Sequence, residues 1–166
     1  MNKVFSILTI FIFAIACLLV QGSILSNFIK IVPNLLLIIV IFLSFNSQLF
    51  LITFLSFCLG LLYDLSSANF IGPAAGGFLI VNLIIKNISD KLFINSFVSQ
   101  IFTSFILSVI YLFSELAFKF WYMSEGSFSL SNILIESIYT GIASPFIFFI
   151  FNKFNFLYLR SDAKNR

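Results

Sequence analysis

The chain contains no histidine, one tryptophan, three prolines and two cysteines in 166 residues. Charge is scarce too, with Asp, Glu, Lys and Arg together at 9%. Each shortage excludes something. Without histidine, imidazole acid–base chemistry and a common metal ligand are gone, and no cofactor or metal is expected. Cys17 and Cys58 both lie inside apolar runs. They read as small lipid- or core-facing groups rather than as a disulfide. A soluble domain is about a quarter charged, so there is too little polar surface here to coat a body in water. What fills the chain instead is 61% hydrophobic residues, 25 of them Phe, with a mean hydropathy of +1.15. An integral membrane protein is expected.

Six apolar runs can be cut, roughly Val4–Val20, Ile31–Phe45, Leu49–Tyr63, Gly72–Ile88, Phe93–Phe118 and Ile133–Phe151. They predict an all-α bundle of six transmembrane helices over residues 1–152, followed by a short basic tail at 153–166. A helix needs about 20 residues to cross a bilayer core of about 30 Å. The second and third runs are shorter than that. Joined as one helix they would reach about 50 Å, which is too long, so a hairpin turning at Asn46, Ser47 and Gln48 is expected. Short spans imply local thinning of the bilayer or burial within the bundle. The stretch "AIAC" at Ala14–Cys17 loosely resembles a lipoprotein cleavage box. It lacks the usual Leu at its first position and is followed by more membrane-like sequence, so an uncleaved first helix is expected.

Orientation follows from the basic residues. Six spans put both termini on one side. Placing them in the cytoplasm puts Lys3, Lys86, Lys91, Lys153, Arg160, Lys164 and Arg166 inside and leaves Lys30 and Lys119 outside. This is the bias of an inner-membrane protein. It also accounts for the sequence pI near 9.0 without any nucleic-acid partner.

Asp64 then falls at the outer end of the third helix, followed by a loop and by Gly72-Pro73. An acid at a helix C-terminus is disfavoured by the dipole, by roughly 0.3–1 kcal/mol. Two compensations are available: Lys30 or Lys119 on the same face, or free N–H groups at the start of the fourth helix. Ser56, Gly60 and Asp64 are four residues apart and share a face. With Ala74, Ala75, Gly76 and Gly77 they read as small-residue packing surfaces. "GPAAGG" lacks the Lys-Ser/Thr of a phosphate loop.

The fifth run carries Gln100, Ser104, Ser108 and Glu115, and the sixth carries Asn132, Glu136, Thr140 and Ser144. Two such polar stripes are expected to face each other or a cavity, because exposure to lipid is costly. Glu115 and Lys119 are spaced for an i, i+4 ion pair. With Asp64 and Glu125, the outer face holds four acids against two lysines. No nucleophile–base pair or metal set is apparent, so no enzyme is expected.

Three motifs, "VPNLLLIIV" at 32–40, "SFCLGLLYDL" at 56–65 and "FIGPAAGG" at 70–77, resemble those of the rod shape-determining MreD family. Pro33, Gly60, Asp64, Leu65 and Gly72 match the family pattern. Asn34 stands where the family often has Asp, and Ser56 where it often has Gly. The resemblance implies a non-enzymatic membrane scaffold of the cell-wall elongation machinery. Its implied partner is an MreC-like single-span protein, with an MreB-like cytoskeleton and peptidoglycan synthases reached indirectly. It also implies a fold similar to the S components of vitamin transporters. That likeness supplies the alternative reading, a small-molecule-binding S component, although the first helix lacks the small residues four apart that S components use for docking. The candidate partner-binding or structural residues are therefore Pro33, Asn34, Ser56, Gly60, Asp64, Leu65, Gly72, Glu115 and Glu136.

Overall fold

A computed structural model describes residues 3–25, 27, 31–46, 48–67, 71–88, 96–123 and 130–153. These form six α-helices: α1 Lys3–Leu19, α2 Leu35–Asn46, α3 Leu49–Ser66, α4 Pro73–Ile88, α5 Phe97–Met123 and α6 Leu130–Lys153. A π-helical stretch, Val20–Leu25, prolongs α1. The all-α, six-helix expectation holds. Three helices, α3, α5 and α6, are long and apolar enough to cross a membrane. The expectation of a short third span is corrected, since α3 continues through Asp64 and Leu65 to Ser66 and reaches 18 residues. The fifth helix likewise runs past Phe118 to Met123, and the sixth starts at Leu130.

The second helix stays short, and its surroundings explain why. Every residue from Leu35 to Ser44 is buried, so α2 is apolar all round because it is enclosed all round. It packs against α1, α3, α4 and α6 and touches α5. At 12 residues it measures roughly 18 Å. A helix enclosed by neighbours has no hydrophobic length to match to lipid. The reversal into α3 follows at Gln48, while Ser47 lies outside the described residues.

Consecutive helices alternate in direction. Near one end, Gly60 on α3 meets Ala75 on α4, and Gly76 and Gly77 meet Phe118 and Tyr111 on α5. Farther along, Gly141 on α6 meets Ile101 and Phe105 on α5. The small residues of "GPAAGG" thus give α4 its close approach to both neighbours. At the opposite end Phe42, Phe148 and Phe151 join α2 to α6, and Phe13 stands edge-on to Phe151 at 4.8 Å. At that same end Asn82 ties three helices. Its Oδ1 accepts from the Ser44 hydroxyl at 2.9 Å, and its Nδ2 donates to Thr53 Oγ1 at 3.0 Å. The outward side chains are largely apolar, with Phe50, Phe120 and Trp121 among the most exposed. That is the surface expected where lipid is the solvent.

Candidate functional site

Asp64 lies in the last turn of α3 and is 3% exposed. Its carboxylate folds onto the start of α4. Oδ2 accepts from the Gly72 N–H at 2.8 Å and the Ala75 N–H at 3.2 Å, and Oδ1 accepts from the Ala74 N–H at 3.0 Å. The first turn of a helix has N–H groups without intrahelical partners and a positive dipole end. A carboxylate there meets both needs. Gly72 has φ +129, a conformation side chains resist, and this turns its N–H onto Asp64. Gly60 lies one turn before Asp64 and permits the contact. A Cβ at position 60 would stand 2.3 Å from the Ala75 Cα, so α3 and α4 meet backbone to backbone.

Of the two lysines offered as alternative partners for Asp64, Lys119 pairs with Glu115. Lys30 lies outside the described residues, as does Glu125. Ser56 is buried on the same face as Gly60, and its hydroxyl has no hydrogen-bond partner among the described residues. Leu65 points outward.

A second cluster forms where α2 begins. Pro33 and Asn34 are buried. Asn34 Oδ1 accepts from the Leu37 N–H at 3.0 Å, which is an N-cap. The Asn34 backbone N–H donates to Thr140 Oγ1 on α6 at 3.0 Å. Gln21 Oε1, from the π-helical stretch, accepts from the Leu35 N–H at 3.4 Å. Asn34 Nδ2 is buried with no partner among the described residues. An Asp at this position would cap equally well but would set a second carboxylate oxygen, without a partner among the described residues, where Nδ2 stands.

The two polar stripes do meet. Gln100, Ser104, Ser108, Thr140 and Ser144 are buried, and the Ser144 hydroxyl donates to the Gln100 carbonyl across α5 and α6 at 3.2 Å. Asn132, near the start of α6, is exposed and departs from the stripe. Toward the Asp64 end, Glu115 and Glu136 line one cavity of about 280 Å³ with Lys119, Tyr63, Ser67 and Leu116. Tyr63 and Ser67 also wall a second cavity of about 380 Å³, which reaches Gln21 and Val32. The sequence reading singled out neither Tyr63 nor Ser67. Their one available signal was position, since both flank Asp64 at the end of α3.

The structure therefore brings Gly60, Asp64 and Gly72 into one contact and sets Glu115 and Glu136 around one cavity. Pro33 and Asn34 form a third, joined to α6 through Thr140. Comparisons with curated proteins and with solved structures return no match, so the S-component likeness rests on the resemblance alone. A family model does match: residues 1–155 of the 166 fit the rod shape-determining protein MreD. With membrane-spanning helices and the Asp64 contact in place, the chain belongs to the MreD family of rod shape-determining membrane proteins.

Proposed function

We propose that this chain is a non-enzymatic scaffold of the cell-wall elongation machinery. It holds a single-span, MreC-like partner in the bacterial inner membrane and reaches an MreB-like cytoskeleton and peptidoglycan synthases indirectly. The observation that carries this reading is the Asp64 contact. Three charge-assisted hydrogen bonds fix the α3–α4 reversal, and bonds of this type contribute roughly 1.5–3 kcal/mol each. A chain that holds one end of its bundle this firmly offers a partner a pre-shaped surface, which lowers the ordering cost of binding. The basic residues support an orientation with both termini cytoplasmic. Residues 1–152 then form the transmembrane domain and 153–166 a short basic cytoplasmic tail.

The test is copurification from membranes with an MreC-like protein. Wild-type chain should retain the partner, and Asp64→Leu at matched membrane abundance should lose it. Tight binding of a vitamin-sized ligand without any partner would instead establish the S-component reading.

A further inference from the structure

The two cavities at the Asp64 end meet at Tyr63 and Ser67 but differ in character. One is lined by acidic and basic side chains, Glu115, Glu136 and Lys119. The other carries no charged residue and runs along Leu18 and Leu19 at the end of α1. Each is near the lower end of the size range of small-molecule sites. Side by side they form a polar pocket that continues into a mainly apolar groove.

The charges in the pocket are unevenly matched. Lys119 is bound to Glu115, while no ion pair to Glu136 is present among the described residues. One turn before Glu115, on the same face of α5, stands Tyr111. Its side chain is fully buried and its hydroxyl has no hydrogen-bond partner among the described residues. Tyr111 stands behind the pocket and is not part of its lining, so the group on the lining that lacks a counter-charge among the described residues is Glu136.

We propose that this paired cavity binds a zwitterionic lipid whose headgroup carries both a phosphate and a primary ammonium. The ammonium donates to Glu136. Its N–H bonds distinguish it from a quaternary amine, which has none. The phosphate takes the remaining donors of Lys119. The first carbons of an acyl chain follow the groove past Leu18. A purely anionic headgroup leaves Glu136 unmatched and brings negative charge beside it. This site goes beyond the scaffold reading and does not depend on it.

The experiment uses the full chain in detergent, with phosphatidylethanolamine, phosphatidylcholine and phosphatidylglycerol of identical acyl chains competing for it, and counts retained lipid by native mass spectrometry. Phosphatidylethanolamine should be favoured roughly tenfold over each of the others, the factor expected for one charge-assisted hydrogen bond. Glu136→Gln should abolish the preference over phosphatidylcholine. Leu116→Trp, which fills the pocket without altering a charge, should lower retention of phosphatidylethanolamine and serves where Glu136→Gln does not fold. Equal retention of the three lipids by the wild type overturns the proposal. So does a Glu136→Gln variant that keeps its lipid preference while losing copurification of the partner, because the pocket then takes a basic side chain of that partner.

Discussion

Gly60 and Ala75 meet with no room between them. A Cβ on Gly60 would lie 2.3 Å from the Ala75 Cα and 2.7 Å from its nitrogen. Both atoms are backbone, so no side chain can swing aside. Gly60→Ala should force α3 from α4 and cost about 1–3 kcal/mol, the usual range for overpacking. Gly60→Leu should cost more and weaken partner retention with it. Thermal unfolding in detergent checks both, and a Gly60→Ala melting curve that overlays the wild type would contradict so close a contact.

Asp64→Asn and Asp64→Leu should separate clearly. An asparagine oxygen can keep the Gly72 and Ala75 N–H groups, but its amide nitrogen faces the Ala74 N–H and cannot accept from it. Leucine strands the two buried N–H groups of Ala74 and Ala75, at about 1–3 kcal/mol each, and frees the part-buried Gly72 N–H as well. Asparagine should therefore be mild, while leucine should impair elongation even where the protein inserts. The measurement is cell shape in a depletion strain with membrane levels of each variant matched. Normal rods with Asp64→Leu at normal abundance would reduce Asp64 to an interfacial acid.

The start of α2 gives a third comparison. Asn34→Ala loses the N-cap of Leu37 and should lower stability by about 1 kcal/mol. Asn34→Asp keeps the cap but puts a carboxylate oxygen without a described partner where Nδ2 stood, and a buried unpaired charge is costly, so it should melt below the wild type. An Asn34→Asp variant that melts with the wild type or above it would mean that a donor or a proton takes up the second oxygen.

Topology is open to direct measurement. Reporter fusions after Arg166 and within 122–131 should report opposite sides, with the C-terminal fusion cytoplasmic. Lys86 and Lys153 lie in the last turns of α4 and α6, at the end away from Asp64, which suits that assignment. A C-terminal fusion outside the cytoplasm would reverse it and turn the Asp64 end inward.

Much of this was legible in the sequence because it depends on order along the chain. Asp64 sits eight residues before Gly72, so a carboxylate at one helix end and free N–H groups at the next needed only a reversal to meet. Glu115 and Glu136 could be paired because Glu136 lies on a four-residue stripe and Glu115 stands seven residues, about two turns, past Ser108 on the facing one. The contacts that escaped depend on rotation about helix axes. Asn82 reads as one amide within an apolar run until Ser44 and Thr53 turn toward it. Thr140 was visible as part of a stripe, but its bond to the Asn34 N–H spans 106 residues. The prolongation of α1 beyond Val20 was also missed, because Gln21, Gly22 and Ser23 resemble the end of a span.

The enclosure of α2 separates two demands that usually coincide. Burying an apolar side chain among helices gains little when the alternative surroundings are lipid tails, so α2 is held by shape complementarity and dispersion. Its greasiness matters earlier, when the segment must leave the aqueous route of synthesis and enter the bilayer. Trimming Ile39 to alanine, for example, would leave a segment that still inserts into the membrane while opening a void at the centre of the bundle. For this helix, hydrophobicity governs delivery and contour governs assembly.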